Sequence, residues 1–267
     1  MRAYLAIFKV RFLQLIQYRT AAVAAICTNF LFGLVRVMIL CAFYAGGAPS
    51  GGLTLSQSIT YTCMGQILLS MLAWNADGDL VGMIRTGNVA YELLRPMDLY
   101  NHWYARAVAL RTAPTLLRAG PLVIVYAFLV PMQYRMSGPA SPAHFFCWLA
   151  CTLAALLLSC AVTNLITILT LYTVSGEGWM RILPPIVTLT SGMIIPIGLL
   201  PDWLQVVFRA LPFAGLVDTP LNFFIGALDP GQLPGQLLLQ LFWTAALVLL
   251  GRRLLAGRMK RWVVLGG

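Results

Sequence analysis

Charged residues are scarce in this chain, and acidic residues are the scarcest. Charged side chains make up 10% of the 267 residues, and 8 acids stand against 18 lysines and arginines. Soluble domains carry about 25% charged residues. Hydrophobic residues make up 60% of the chain, and its mean hydropathy is +0.83. This composition excludes an ordinary water-soluble domain and favours a protein that is surrounded mainly by lipid.

The residues that most often perform catalysis are also few. The chain has 2 histidines, His102 and His144, and it contains no HExxH, GxSxG or Walker phosphate-binding motif. Its acids lie at the ends of apolar runs or in the turns between them, an arrangement that disfavours a proton-relay transporter. We therefore predict a chain without a catalytic centre, a metal site or a cofactor of its own.

The cysteine spacing indicates neither a disulfide framework nor a metal site. The chain has 6 cysteines and no CxxC pair. All of them fall within apolar segments or at their ends, which predicts buried free thiols. They are Cys27, Cys41, Cys63, Cys147, Cys151 and Cys160.

Six long apolar runs predict an all-α, polytopic membrane protein with six transmembrane helices. The predicted spans cover about residues 20–46, 55–74, 112–131, 143–174, 181–200 and 235–255. A run of about 20 apolar residues is long enough to cross the hydrocarbon core of a bilayer. The spans form one transmembrane domain over residues 20–256, because no soluble insertion between them is large enough to be a second domain.

The segments outside the spans have distinct patterns. Residues 1–19 mix cations with apolar residues at helical spacing, which predicts an interfacial helix on the cytoplasmic surface. The alternative is a plain extension of the first span. Residues 201–225 hold two short apolar pieces broken by prolines, which predicts outer re-entrant or interfacial helices unless they are a spanning pair. Residues 257–267 are a predicted basic cytoplasmic tail.

The basic residues set the predicted orientation. Six spans place both termini on one side of the membrane, and fifteen of the 18 basic residues fall on that side. Arg135 and Arg209 fall on the other side, and Arg36 lies inside the first span. Because basic loops stay in the cytoplasm, we predict that both termini are cytoplasmic. The net charge of +10 is then a topology pattern near membrane lipids, and we predict no nucleic-acid binding.

Two sets of polar residues inside the spans are candidates for a translocation path. Arg36 and Asn29 share a face of the first span, and the alternative is that Arg36 reaches the outer headgroups. Small hydroxyl residues share one face of the fourth span, where tight helix packing is the alternative. These residues are Thr152, Ser159, Thr163, Thr167 and Thr170. For an organic cation as substrate, Trp74, Tyr61 and Trp179 are candidates for cation–π contact.

The most polar stretch, residues 75–111, contains a short segment with clear helix boundaries. Gly87 and Asn88 open a predicted short helix, and Pro96 closes it because the residue before a proline resists the helical conformation. Asp98 is positioned to cap the next helix. The aromatic and leucine side chains of the segment are typical of a surface that docks on another protein. The alternative is a loop packed on the surface of its own chain.

Three stretches of the sequence resemble the permease subunits of type-2 ATP-binding-cassette exporters, most closely those of the viologen-exporter type. The first is residues 84–100, which contains Leu-Leu-Arg-Pro-Met-Asp. The second is Ser-Gly-Met-Ile-Ile-Pro at 191–196, followed by Leu-Pro-Asp-Trp-Leu-Gln at 200–205. The third is Leu-Pro-Phe at 211–213 with Thr-Pro beyond it at 219–220. The resemblance extends over nearly the whole chain.

The resemblance implies a six-span half-transporter that pairs with a second permease, either a homologous partner or another copy of itself. Two cytosolic ATPase subunits would bind ATP and Mg and would drive export of a small molecule, a drug or a lipid-like substrate. It also implies a coupling helix at about residues 88–95 and a location in the bacterial inner membrane. The predicted ATPase contacts are Asn88, Val89, Tyr91, Glu92, Leu94 and Arg95, with Glu177 as a minor one.

Two other classes of function are the alternatives. A membrane enzyme that modifies lipids would need polar groups that converge at one depth in the membrane. A secondary transporter or a channel would show mid-span acids or broken helices in symmetric positions. An ATPase that co-purifies with the chain would distinguish the predicted permease from both.

Overall fold

The computed structural model of the protein describes residues 2–17, 19–47, 52–73, 75–94, 96–173 and 177–259. These residues form helices joined by short turns and contain no strands, as the composition predicts. The α-helices are α1 (Arg2–Gln17), α2 (Arg19–Ala45), α3 (Leu55–Leu68), α4 (Gly78–Arg85), α5 (Ala90–Leu93), α6 (Leu99–Ile124), α7 (Pro142–Leu169), α8 (Glu177–Thr190), α9 (Asp202–Ala210), α10 (Asp218–Phe224) and α11 (Leu233–Met259).

Four helical stretches of the described chain are long and apolar enough to cross a membrane. They are Thr20–Ala45, Leu99–Leu129, Pro142–Tyr172 and Pro230–Met259. The predicted spans at 55–74 and 181–200 correspond to α3 and α8, which have 14 residues each. At 1.5 Å per residue such a helix is about 21 Å long, which is less than a hydrocarbon core of about 30 Å. Four of the six predicted spans therefore have full length.

The predicted third span, 112–131, begins inside a longer helix, α6. This helix starts at Leu99, where the Asp98 carboxylate caps it by accepting a hydrogen bond from the Asn101 N–H at 2.8 Å. The predicted capping role of Asp98 is thus confirmed. Arg106 and Arg111, which the sequence places in a polar loop, lie inside α6. They are accommodated there because their guanidinium groups find partners within the protein.

Helix α7 is at the centre of the fold, where it packs against α6, α10 and α11. Helix α3 is buried almost throughout, from Ser58 to Ile67. Its start is set by a capping box, in which Thr54 and Gln57 each satisfy the other's backbone N–H. Helix α2 packs on α3 and α6 and leaves a broad apolar face exposed. The core is thus formed by the inner faces of helices whose outer faces are apolar too.

Helix α1 is a separate element that lies along α6. It ends at Gln17, and α2 begins at Arg19. Its predicted location at the membrane surface stays a prediction, but its partner in the structure is another helix of the chain. At the other terminus α11 continues to Met259, so the predicted tail at 257–267 begins as helix. The basic residues Lys260 and Arg261 lie outside the described residues.

Residues 201–225, which we call the α9–α10 segment, hold two helices of opposite character. Helix α9 has no buried residue, whereas every residue of α10 is buried. The N-cap of α9 is Pro201, which makes no side-chain hydrogen bond, and Asp202 is the first residue of the helix. Among the cysteines, Cys27 is exposed and Cys41 is half-buried, and the other four are buried free thiols as predicted.

Candidate functional site

Residues 77–94, which we call the α4–α5 segment, form a compact hairpin of one short helix and one helical turn. The Asp77 carboxylate caps α4 by accepting hydrogen bonds from the N–H groups of Asp79 and Leu80. Gly87 ends α4 because its φ of +76° is a left-handed conformation that glycine adopts without strain. The predicted helix at 88–95 is shorter in the structure, a single turn at Ala90–Leu93.

Two large hydrophobic side chains of the α4–α5 segment are exposed on the surface of the protein. Tyr91 is 70% exposed and Leu94 is 79% exposed. Val89 is 0% exposed and Glu92 is buried, so these two residues do not form the protruding surface that the sequence predicts for them. Asn88 is exposed. The surface that a partner can reach therefore consists of a smaller set than predicted.

Val89 is buried because the α4–α5 segment has an apolar inner face. Val89 and Leu80 pack in a cluster with Leu99, Tyr100 and Trp103 from the first turns of α6. The cluster also includes Ile168 near the end of α7, Leu171 just after that helix, and Leu255 in α11. Burial of a valine or leucine side chain contributes about 1.5–3 kcal/mol. The segment is therefore held on the body of the protein by its own hydrophobic contacts.

A cluster of charges fixes the start of the α4–α5 segment. Asp77 accepts from Arg106 Nε at 2.9 Å and from Arg11 Nη2 at 3.2 Å. Arg11 also pairs with the exposed Asp79 at 2.6 Å. Burial opposes ionisation of Asp77, but the bonds from Arg106 and Arg11 outweigh it and lower the pKa of this carboxyl. The cluster joins α1, α4 and α6 through one ionised acid.

The end of the α4–α5 segment is fixed by a second polar contact. Glu92 in the turn of α5 lies 2.8 Å from His102 Nε2 in α6. Both side chains are buried, and His102 Nδ1 faces the Met97 sulfur at 3.2 Å. The sequence predicts Glu92 as a contact of the ATPase, but in the structure it contacts a residue of its own chain. Glu92 is thus a support for the turn and not part of its outer surface.

A cleft of ≈ 330 Å³ opens beside the turn of α5. Its walls come from the turn, the start of α6 and the end of α11. Arg252 of α11 lies in this wall, where its guanidinium donates to Asn101 Oδ1 at 2.7 Å and stands 5.2 Å above the Tyr100 ring. The remaining predicted contacts, Arg95 and the side chain of Glu177, lie outside the described residues, although Glu177 is the first residue of α8.

The hydroxyl residues of α7 do not line an open path in this chain. Ser159, Thr163, Thr167 and Thr170 are buried, and Thr152 is half-buried. The hydroxyl groups of the four buried residues bond within the protein, as when Ser159 donates to the Met71 carbonyl and Thr167 to the Thr163 carbonyl. The structure thus agrees with the packing alternative for this stripe, because small hydroxyl residues let helices approach closely.

Arg111 bonds α6 to two other parts of the protein. The sequence does not predict this role, because it places Arg111 in a loop. Its buried guanidinium donates to Thr163 Oγ1 at 3.0 and 2.9 Å. It also donates to the Leu72 carbonyl at 2.9 Å and to Asn75 Oδ1 at 2.8 Å. Leu72 and Asn75 lie in the linker between α3 and α4. Arg111 therefore ties that linker to α6 and α7 through neutral acceptors.

Arg36 and Asn29 of α2 also bond within the chain. Arg36 Nη1 donates to the Met193 carbonyl at 2.9 Å, just beyond the end of α8. A cation is stabilised at a helix C-terminus, where carbonyl groups lack partners. Asn29 is buried and donates to the Gln66 carbonyl of α3 at 3.3 Å.

Another buried acid, Asp218, accepts several hydrogen bonds at the opposite end of the molecule from the α4–α5 segment. Its carboxylate accepts from Tyr61 OH at 3.1 Å, from the Ile197 N–H at 3.3 Å and from Asn222 Nδ2 at 2.8 Å. Tyr61 also donates to the carbonyl of Gly192. Tyr61 is therefore buried and bonded, and it is not free to bind a cation. Trp179 is partly exposed, and Trp74 lies outside the described residues.

These features define a class of protein. The described residues contain no group of three or more His, Cys, Asp or Glu side chains placed to hold a metal ion. Long apolar helices suit a lipid environment, and one turn exposes an aromatic and an aliphatic side chain, Tyr91 and Leu94, at the surface. The class is a multi-pass membrane protein.

Comparison with known protein families identifies the family to which this membrane protein belongs. Residues 30–266 match the family described as ABC-2 family transporter protein. Because the match covers well over half of the chain, this chain belongs to that family. It is therefore a membrane permease subunit of an ABC transporter, which works with ABC ATPase subunits. No curated protein gives a match to the chain.

Proposed function

We propose that this permease exports its substrate with energy from an ABC ATPase that docks on the turn of α5. The observation that carries the proposal is the contrast within that turn. Tyr91 and Leu94 protrude almost fully, while Val89 and Glu92 beside them are buried and bonded to α6. Exposed apolar groups on a rigid support are typical of docking sites, because the support loses little entropy on binding.

The chemistry of the docking surface favours a protein partner. Tyrosine is among the residue types that most often dominate interface energies, and it buries much area while its hydroxyl group stays bonded. The cleft next to the turn adds Met97, Leu255 and Met259 as apolar contacts and Arg252 as a cation. We infer that the ATPase presents an apolar pocket for Tyr91 and Leu94 with an acidic rim facing Arg252.

The experiment that tests this docking surface is the affinity of the purified permease for a co-expressed ABC ATPase. Tyr91→Ala combined with Leu94→Ala should weaken binding by about 2–4 kcal/mol, if these side chains are the interface anchors. The permease should insert and fold as before, since both side chains face outward. A matched control is Met132→Ala, which removes an 85% exposed apolar side chain from the turn beyond the far end of α6. Equal affinity of the double variant and the control would overturn the proposal.

We also infer a topology of six crossings with both termini in the cytoplasm of a bacterial inner membrane. In this arrangement α3 and α8 cross as shortened helices, and the α9–α10 segment is re-entrant on the outer side. The basic-residue distribution supports it. Asn88 and Ser137 are both exposed, so their reactivity depends on the side they face. An impermeant thiol reagent on intact cells should label Ser137→Cys and spare Asn88→Cys, and the reverse pattern would refute the topology.

The finer identity is also a proposal. We infer a permease of the viologen-exporter type that pairs with a second permease, identical or homologous, and with two ATPase subunits that bind ATP and Mg. The substrate, a small molecule, drug or lipid-like compound, passes between the two permeases. The resemblance at residues 84–100 and 191–205 supports this identity. The mass of the detergent-purified complex tests it, because a single permease chain with one ATPase would contradict the arrangement.

A further inference from the structure

The α4–α5 segment is bound to α6 at both of its ends. At the start, Asp77 accepts from Arg106 at 2.9 Å. At the end, Glu92 lies 2.8 Å from His102. His102 and Arg106 are four residues apart, so they lie one above the other on the same face of α6. Two acids, fifteen residues apart in the chain, therefore contact neighbouring positions on a single helix.

The space between these two contacts is filled by apolar packing. Leu80 and Val89 of the segment pack on Trp103, which lies between His102 and Arg106 in sequence and is one of the largest fully buried side chains. Asp77, Glu92 and His102 have side chains with 5% exposure or less. Buried contacts of this kind are weakened little by solvent and are costly to break from one side. The segment thus has no free hinge against α6 over this interface.

The link from the segment back to α3 is also held on α6. Between α3 and α4, the carbonyl groups of Leu72 and Asn75 bond to Arg111, which belongs to α6. All three polar ties therefore end on α6, although α3 is the helix that precedes the segment in the chain.

We propose that the α4–α5 segment and α6 move as one rigid body, and that Asp77, Glu92, His102 and Arg106 are the positioning residues that couple them. We call these four residues the clamp. The proposal rests on the proposed docking of the ATPase at Tyr91 and Leu94. Force applied at this turn then enters α6, the helix to which His102 and Arg106 of the clamp belong.

Distances between spin labels test the proposal in the full complex with a co-expressed ABC ATPase. In a variant whose native cysteines are replaced, one label is placed at Thr86→Cys and the other at Leu116→Cys, an exposed position of α6. A second pair joins Thr86→Cys to Phe32→Cys on the exposed face of α2. Between the nucleotide-free state and the state trapped with Mg-ATP and vanadate, the first distance should stay constant and the second should shift. A shift of the first distance overturns the clamp.

The second measurement uses variants that remove a charged side chain from the clamp. Glu92→Gln and Asp77→Asn should broaden the Thr86–Leu116 distance distribution and lower ATP-driven transport of a dye probe per ATP hydrolysed. The ATPase should still co-purify, because Tyr91 and Leu94 are unchanged. A merely structural defect would lower transport and hydrolysis together and leave their ratio intact. Asp79→Asn, which removes an exposed carboxylate beside the same cluster, is the control.

The two proposals fail in different ways. If the wild-type permease binds no ATPase, the docking proposal is wrong, but the label distribution of the permease alone still reports on the clamp. If the ATPase binds and the Glu92→Gln distribution is as narrow as that of the wild type, the clamp is wrong and the docking proposal stands. Asp77→Asn alone is not decisive if it fails to fold, and Glu92→Gln then supplies the result.

Discussion

The two ends of the molecule each bury a carboxylate, and they stabilise it differently. Asp77 at the α4–α5 segment is held by two cations, Arg106 and Arg11. Asp218 near the α9–α10 segment is held mainly by neutral donors from Tyr61, Ile197 and Asn222. Both carboxylates join elements that are distant in the chain, because Asp77 contacts α1 and α6 and Asp218 contacts Tyr61 of α3. The difference therefore lies in the partners, which are cations at Asp77 and mainly neutral donors at Asp218.

In this comparison, the largest loss of stability is expected for a substitution at Asp77. Asp77→Asn leaves Arg106 and Arg11 with the exposed Asp79 as their remaining acid, and breaking a buried pair costs about 3–5 kcal/mol. Asparagine keeps an oxygen that can cap α4, so this cost reports on the ion pairs. The thermal unfolding midpoint of the detergent-solubilised protein should fall clearly. Asp79→Asn, at a side chain with 60% exposure, should lower it little.

A smaller effect is expected at Asp218. Asp218→Asn keeps the size and one acceptor but loses hydrogen bonds to a charged group, which contribute about 1.5–3 kcal/mol. The only cation in the contact, Arg209, is 4.0 Å away and its side chain is 53% exposed. Arg209→Gln should therefore change the unfolding midpoint little. If Asp218→Asn is more costly than Asp77→Asn, the distinction between the two ends is wrong.

The turn after α8 gives a third test at the same end as Asp218. Gly192 has a φ of +82°, and a Cβ there would lie 2.6 Å from Tyr61 OH. Gly192→Ala should destabilise the protein by at least about 1 kcal/mol through backbone strain, with the clash in addition. Gly47→Ala is a matched control, because Gly47 has a φ of +72° and no atom within 4 Å of the added Cβ. A similar loss in both variants would show that the Tyr61 contact contributes nothing.

The smallest expected effect is the response of the Asp77 cluster to pH. Its pKa is lowered, because the bonds from Arg106 and Arg11 outweigh the burial that would raise it. A carboxyl whose folded pKa lies below its unfolded value of about 3.9 stabilises the protein above that value. This contribution is lost only as the pH falls through the folded pKa. The stability difference between the wild type and Asp77→Asn should thus be flat from about pH 6 to 8, and a difference that varies within this range would contradict the ion pair.

Local sequence patterns predicted part of this architecture. Gly87, Pro96 and Asp98 act on their own neighbours, so the turn of α5 and the start of α6 could be placed approximately from the sequence. The four long apolar runs were also found, because length and composition are enough to identify them. The full length of α3 and α8 was overestimated, since apolar composition continues beyond the end of each helix.

Contacts between distant parts of the chain were not predictable in this way. Val89 is interpreted from sequence as an exposed contact, but it is buried by Trp103, which comes fourteen residues later. Arg111 and Arg106 look like loop cations until α7, α4 and the linker after α3 supply their acceptors. The hydroxyl stripe of α7 was found, but its use for packing depends on neighbours that no periodicity reveals. A single sequence shows the residue pattern of each helix, but it does not show which other helix packs against that pattern.

A site-specific photo-crosslink tests the central claim, that the turn of α5 touches the ATPase, most directly. A photoreactive phenylalanine analogue is introduced at Tyr91, and in a second sample at Met132, which is exposed in the turn beyond the other end of α6. The proteins are irradiated in membranes that contain the co-expressed ABC ATPase. The account predicts a crosslinked permease–ATPase product from position 91 and none from position 132. Absence of the product at position 91, or equal yield at both positions, would contradict it.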